Sequence, residues 1–124
     1  MEVSALLLDS VILIDHLNGR AEATDFLRRH YRDCVVTPVS RAETLAGLAP
    51  ADQAPVARFL DSFECLPIGA EEGDLAGRLR RARTWKLPDA LQMAVARRQG
   101  CRLVTRNTRD FPPAKHPEVL VPYQ

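Results

Sequence analysis

The sequence has few of the residues that build cross-linked, zinc-stabilised or membrane-spanning folds. Its 124 residues include three cysteines and three histidines, and no C-x-x-C or H-x-x-x-H spacing connects them. This pattern excludes a disulfide framework and a zinc knuckle, so we expect three buried, reduced thiols in a cytoplasmic protein. The apolar amino-terminal stretch is interrupted by Asp9 and Asp15, so we expect neither a signal peptide nor a membrane span.

Motifs for nucleotide binding and for nucleophilic catalysis are also missing. The sequence contains no G-x-x-x-x-G-K-[ST], no G-x-G-x-x-G and no G-x-S-x-G, and no histidine is placed to serve a nucleophile. Lysine is scarce, since all but Lys86 and Lys115 of the 17 basic residues are arginine. The formal net charge of +1 excludes a strongly cationic DNA-coating protein and a polybasic membrane binder.

Length and composition suit a single globular domain over residues 1–124, with 46% hydrophobic and 27% charged residues. Five apolar runs predict strands, at 3–8, 34–38, 65–68, 101–105 and 119–121. Apolar residues at helical spacing lie between them, over 23–30, 56–63, 75–82 and 90–95. This alternation predicts an α/β fold, a three-layer α/β/α sandwich with a central parallel sheet of four to five strands.

Four acidic residues lie where a predicted strand ends or a helix begins. They are Asp9, Glu43, Asp89 and Asp110. Ligands of open parallel sheets bind beyond the carboxyl ends of the strands, so we expect these carboxylates to meet in one crevice. Each acid also has a purely structural interpretation that the sequence leaves open. Asp9 can cap a helix, residues 40–43 (SRAE) match a capping box, Asp89 suits a first helical turn after Pro88, and Asp110 can close a turn.

A cluster of four carboxylates needs a counter-charge, because like charges repel and raise at least one pKa. All-oxygen ligands favour the hard cations Mg²⁺ or Mn²⁺ over zinc. Such an ion can activate water and neutralise the charge that develops on a phosphate. Without a nucleotide-binding loop or a catalytic histidine, the pattern indicates metal-assisted phosphodiester hydrolysis.

Three segments are similar to known motifs. Residues 7–17 (LLDSVILIDHL), 88–94 (PDALQMA) and 100–111 (GCRLVTRNTRDF) resemble the opening motif and the carboxyl-terminal block of PIN-domain proteins. Their order, spacing and total length resemble VapC, the toxin of type II toxin–antitoxin pairs. The resemblance implies a Mg²⁺- or Mn²⁺-dependent endoribonuclease that cleaves single-stranded or loop RNA.

The resemblance also implies roles for particular residues and partners. Asp9 and Asp89 would be the main metal ligands, with Glu43 and Asp110 completing the acidic cluster. The polar residues that match supporting positions are Ser10, Thr105 and Asn107. The family further implies a homodimer and a cognate VapB-type antitoxin whose carboxyl-terminal segment covers the acidic site.

Phosphate contacts must come from cations outside the acidic cluster. The arginines beside the acids in sequence are Arg41, Arg106 and Arg109, and we predict that they bind RNA. The basic run over 78–86 is interpreted as a solvated helix face. Trp85 is interpreted as a core residue or a dimer contact rather than a base-stacking platform, and Gln92 as a packing residue.

Two other functions stay open at this point. The chain could be a catalytically degenerate PIN-like module that only binds or scaffolds. A phosphoacceptor receiver domain also has a parallel sheet, strand-end aspartates and Mg²⁺. That second alternative needs a phosphorylatable aspartate after the third strand and a lysine after the last, and neither is seen.

Overall fold

The computed structural model describes residues 4–124, and its centre is a five-stranded parallel sheet. The strands are β1 (Leu6–Leu8), β2 (Cys34–Val36), β3 (Glu64–Cys65), β4 (Arg102–Val104) and β5 (Val119–Leu120). Their order across the sheet is β3-β2-β1-β4-β5, and every neighbouring pair is parallel. Each predicted apolar run overlaps one strand, although the strands are shorter than the runs, and residue 3 lies outside the described residues.

Helices connect the strands in all but the last crossover. They are α1 (Ser10–Leu17), α2 (Ala21–His30), α3 (Pro38–Ala46), α4 (Pro50–Leu60), α5 (Ala70–Ala82) and α6 (Leu87–Gln99), with a 3₁₀ turn at Tyr31–Asp33. The predicted periodicities correspond to α2, α4, α5 and α6, whereas the cap interpretations of Asp9 and Glu43 predict the helices after β1 and β2. Over residues 4–124, no helix combines the length and apolarity needed to cross a bilayer.

Residues along β1, β2, β4 and β5 alternate between two apolar cores, whereas both residues of the edge strand β3 are exposed. Leu7 and Leu103 pack with α5 and α6 on one face of the sheet. Leu6 and Leu8 pack with α1, α2 and α4 on the other face. Strands buried on both sides explain why the runs are apolar throughout. The fold is the predicted three-layer α/β/α sandwich, and Asp9 directly follows its central strand, β1.

One of the three thiols departs from the prediction. Cys34 and Cys101 are buried and free, as expected, but Cys65 is free and exposed. The reason is its position on β3, the strand at the edge of the sheet, where one side has no neighbouring strand. Burial raises the pKa of the Cys34 thiol to about 12, so that group is inert at neutral pH.

Trp85 belongs to the core beneath α5 and α6. Its side chain is 5% exposed, and its ring centroid lies 5.1 Å from that of Phe111 and 5.2 Å from that of His116. The indole Nε1 donates a hydrogen bond to the backbone oxygen of Asp110 at 2.8 Å. The core interpretation is therefore confirmed.

Candidate active site

The carboxyl ends of β1 and β4 border a pocket of about 450 Å³ that collects acidic side chains. Asp9 follows β1, Glu43 comes from α3 and Asp89 from the first turn of α6. These three acids are far apart in the sequence, yet they line the same pocket. Its other lining residues are Ser10, Val11, Arg106, Asn107, Thr108 and Arg109.

Asp9 is fixed at the floor of the pocket by hydrogen bonds to both carboxylate oxygens. The Ser10 backbone N–H donates to Oδ1 at 2.8 Å, and the Thr105 hydroxyl donates to Oδ2 at 2.8 Å. The Asp9 backbone N–H donates to the Val104 carbonyl at 3.0 Å, which ties this position to β4. The side chain caps α1, which is the structural interpretation that the sequence left open, and it also lines the pocket. Burial raises the pKa of Asp9, and Glu43 raises it further, while the Thr105 and Ser10 hydrogen bonds oppose the shift.

Glu43 is not part of the predicted capping box. Thr37 caps α3 instead, its side chain accepting from the backbone N–H groups of Val39 and Ser40, and Pro38 occupies the first helical position. Ser40 is thus the third helical residue, not the cap, and Glu43 lies one turn further along. Its carboxylate accepts a hydrogen bond from the Ser10 hydroxyl at 3.0 Å, so it faces the pocket instead of the helix end.

The pKa of Asp89 reflects its partial burial and its position close to the other acids. Its pKa is raised to about 6, first by partial burial and then by repulsion from Asp9, Asp110 and Glu43. A carboxylate at an exposed helix start would show the opposite shift, because the helix dipole favours its charge. Asp89 therefore does more than complement the dipole of α6.

Asp110 borders the cluster but does not line the pocket. Its carboxylate accepts a hydrogen bond from the Asn107 side-chain amide at 3.0 Å, and its backbone N–H donates to the Asn107 Oδ1 at 3.3 Å. Asn107 and Asp110 therefore form a turn, which is the structural interpretation that the sequence left open for Asp110. The effect of Asp110 on the pKa of Asp89 places it within electrostatic reach of the other acids.

The three arginines named from sequence lie in different environments. Arg41 forms an ion pair with Asp61 at 2.9 Å and does not line the pocket. Arg106 does line it, but its Nε and Nη2 donate to the two oxygens of Asp15 at 2.6 and 2.9 Å. Arg109 lines the pocket and has no carboxylate partner within residues 4–124. Arg109 is thus the cation best placed to contact a phosphate.

Gln92 is a polar residue whose role was not evident from sequence. Its side chain is 1% exposed; its Oε1 accepts from the Thr37 hydroxyl at 2.7 Å and its Nε2 donates to Ser40 Oγ at 2.8 Å. The Ser40 hydroxyl in turn donates to the Leu8 carbonyl, one residue before Asp9. Gln92 also favours the ionised form of Asp9. It therefore ties α6 to the start of α3 beneath the acids and is more than a packing residue.

In residues 4–124, no three Asp, Glu, His or Cys side chains form a group that could hold a metal ion as they stand. The hydrogen bonds on Asp9 and Glu43 and the repulsion acting on Asp89 show that the acids lie close together, and Lys86 offsets that repulsion only in part. The donor set is nonetheless all oxygen, which is the set that hard divalent cations prefer.

The raised pKa of Asp89 predicts a characteristic pH dependence of stability for the metal-free protein. Between the ordinary value of 3.8 and about 6, the folded chain holds a proton that the unfolded chain has released. Stability therefore falls as pH rises through this window. We expect metal-free Asp89→Asn to melt at a higher temperature than wild type at neutral pH. The difference between their melting temperatures should become smaller as the pH is lowered. Thermal melts over this pH range would measure it, and a pH-independent difference would contradict it.

The comparisons with known proteins agree with this geometry. The PIN domain family model matches residues 6–115. Ribonuclease VapC10 of Mycobacterium tuberculosis is 36% identical over 114 residues, which cover 86% of each chain. A chain of a toxin–antitoxin complex from Klebsiella pneumoniae is 34% identical and superposes with a TM-score of 0.86 over 98% of this chain and 99% of its own.

A more distant structure shares the fold. A chain of VapBC2 from Rickettsia felis, solved bound to a promoter DNA fragment, is 18% identical and has a TM-score of 0.75 over 94% of this chain and 96% of its own. The family match over residues 6–115 covers most of the chain and includes Asp9, Glu43 and Asp89. The chain belongs to the PIN-domain family, and within it to the VapC-type ribonucleases.

Proposed function

We propose that this chain is a Mg²⁺- or Mn²⁺-dependent endoribonuclease that hydrolyses single-stranded or loop RNA and acts as the toxin of a toxin–antitoxin pair. The observation that carries the proposal is the convergence of Asp9, Glu43 and Asp89 on one pocket, with Asp110 at its border. Nucleases of the PIN and VapC type are typically metal-dependent. Within residues 4–124, no histidine lines the pocket to act as a base.

The residues of the pocket fit a hard divalent cation. Asp9 and Asp89 would be its main ligands, Glu43 would complete the set, and Asp110 would add negative charge nearby. When bound, the cation would lower the pKa of a coordinated water and offset the charge that develops on the phosphate. Burial and repulsion raise the pKa of Asp89 to about 6, and cation binding would favour its charged form, so we expect binding to release protons near pH 6.

The surrounding polar residues position the acids. Thr105 and the Ser10 backbone hold Asp9 in one orientation, and the Ser10 hydroxyl directs Glu43 toward it. Asn107 holds Asp110, and its own backbone N–H donates to Thr105 Oγ1 at 3.0 Å. The loop after β4 thereby links two of the four carboxylates. We assign Arg109 to bind a phosphate oxygen at the rim of this pocket.

Partners follow from the same assignment. The similar structures from Klebsiella pneumoniae and Rickettsia felis are a toxin–antitoxin complex and a VapBC complex. We propose a VapB-type antitoxin as the partner of this chain, a homodimer as its own assembly and the cytoplasm as its location. A small DNA-binding protein encoded directly upstream would be the natural antitoxin candidate.

Cleavage of an end-labelled, unstructured RNA tests the enzymatic proposal. We expect cutting with Mn²⁺ or Mg²⁺, none with excess EDTA, and recovery when the metal is restored. In-line attack by water predicts products with 5′-phosphate and 3′-hydroxyl ends. A base-paired duplex of the same sequence is the matched control and should be cut more slowly. Binding of RNA without cleavage under any of these metals would favour the degenerate module instead.

A further inference from the structure

A second, cationic cleft lies directly beside the acidic pocket. It has a volume of about 320 Å³, and we define it by Arg83, Thr84, Arg109, Lys115 and His116. Trp85, Asp110 and Pro112 complete its lining. Arg109 lines both this cleft and the acidic pocket, so the two adjoin at that residue.

The cations of the cleft are not used in the fold. Arg83, Arg109 and Lys115 are exposed, and none of them forms an ion pair with a carboxylate of residues 4–124. By contrast, Arg106, which also lines the acidic pocket, forms an ion pair with Asp15. Three neighbouring cations without partners repel one another, which favours binding of an anion between them.

His116 forms a buried part of the cleft wall. Its side chain is 2% exposed and lines the cleft, yet its Nδ1 has no hydrogen-bond partner within the part of the chain that the structure describes. Buried polar atoms are nearly always paired with protein, water or a ligand. Because this nitrogen is itself buried, the exposed cations of the cleft are the groups that a ligand would contact.

We propose that this cleft binds a backbone phosphate of the RNA strand that flanks the phosphate being cleaved. The inference rests on the proposed function and names where the substrate is held. The acidic pocket repels the strand, so the neighbouring phosphates must be neutralised nearby. Arg109 would serve both phosphates, and Arg83 and Lys115 would bind the flanking one.

The cleft recognises phosphate rather than base. Its one large aromatic residue, Trp85, is 5% exposed, with its indole N–H already bonded to the Asp110 carbonyl and the Arg83 guanidinium 5.7 Å from its ring centroid. Among residues 4–124, no exposed ring lines the cleft to stack on a base. Contacts to phosphate carry no sequence information, so the contribution of this cleft should be the same for different RNA sequences.

The double variant Arg83→Gln/Lys115→Gln tests the proposal by RNA binding. The measurement is fluorescence anisotropy of labelled oligouridine and oligocytidine with EDTA present, so that neither strand is cut. We expect affinity for both to fall about tenfold at low salt, as two lost phosphate contacts imply. The slope of log affinity against log salt should become shallower by about 0.7 for each lost contact. The matched control, Arg32→Gln/Arg58→Gln, removes two exposed arginines that do not line the cleft and should keep the wild-type affinity and slope.

Three outcomes would overturn the proposal: unchanged RNA affinity, a loss limited to one sequence, or an equal loss in the control. Unchanged RNA affinity together with weaker binding of an acidic protein partner would assign the cleft to that partner. With metal added, we expect the variant to raise KM with little change in kcat. A wild-type protein that never cleaves RNA would refute the proposed function, whereas a cleaving wild type with unaffected variant binding would refute this cleft alone.

Discussion

We expect Asp9→Asn and Asp89→Asn each to reduce RNA cleavage by roughly a thousandfold while the protein stays folded. Each substitution removes a formal negative charge from the cation site but keeps the size of the side chain. Stabilisation of a phosphoryl transition state by a bound cation is worth several kcal/mol, and each 1.4 kcal/mol is about a tenfold change in rate. Asn at position 9 can still bond the Ser10 N–H and the Thr105 hydroxyl, so the floor of the pocket is preserved.

Initial rates on a labelled single-stranded RNA in Mn²⁺ would measure this effect, with circular dichroism to confirm folding. Asp74→Asn is the matched control, since it makes the same chemical change at an exposed position of α5 outside the pocket. It should cleave at the wild-type rate. Isothermal titration of Mn²⁺ would give a second readout, because both site variants should bind the ion more weakly. Undiminished cleavage in both site variants would remove the metal assignment.

The second large effect concerns stability and lies at Asp15. Its buried carboxylate accepts two hydrogen bonds from Arg106 and one from the Tyr123 hydroxyl at 2.9 Å, and Arg20 approaches it at 3.6 Å. We expect Asp15→Asn to lower the free energy of unfolding by about 2 kcal/mol, since buried charged hydrogen bonds are lost. This expected loss of stability is smaller than that for a fully buried ion pair, because the Arg106 side chain is 37% exposed to solvent.

The effect of Asp15→Asn should also depend on pH. The Arg106 hydrogen bonds lower the pKa of Asp15 below its ordinary value of 3.8. Its stabilising contribution is therefore complete above that value and is lost as pH falls through the lower, folded-state pKa. Urea unfolding at neutral and acidic pH would show the difference from wild type shrinking in acid. Asp25→Asn, at an exposed position of α2, is the control and should change stability little at either pH. A destabilisation that is equal at both pH values would contradict the ion-pair explanation.

Most of the fold could be predicted because both faces of the sheet are buried. Apolar runs mark the strands, and helices such as α2 and α4 show a stripe of apolar residues facing one core. Helix α1 has no such stripe, because its sequence SVILIDHL places apolar side chains on nearly every face. It could be predicted only from the capping role of Asp9. The exposure of Cys65 could not be predicted, because it depends on β3 lying at the sheet edge.

Some features of the candidate site could likewise be predicted from the sequence, and others could not. Acids at strand ends are visible in the sequence, since topology alone brings them to one edge of the sheet. The environment of Glu43 could not be predicted. Residues 40–43 satisfy the capping-box pattern, but α3 begins with Thr37 as its cap and Pro38 as its first residue. The Asp15–Arg106 pair joins residues 91 positions apart, and no local pattern encodes it. Pairings of this kind decide which arginines remain available to bind a substrate.

The sheet order has a consequence for how this enzyme is made. Strand β1 is synthesised first, yet it lies between β2 and β4, and its Asp9 is held by Thr105, 96 residues further along the chain. A nascent polypeptide therefore emerges from the ribosome with its first carboxylate long before the partners that orient it. Chains released early by stalled translation would lack β4 and the loop behind it. The site around Asp9 is therefore completed only after Thr105 and the loop that follows β4 have emerged and folded onto β1.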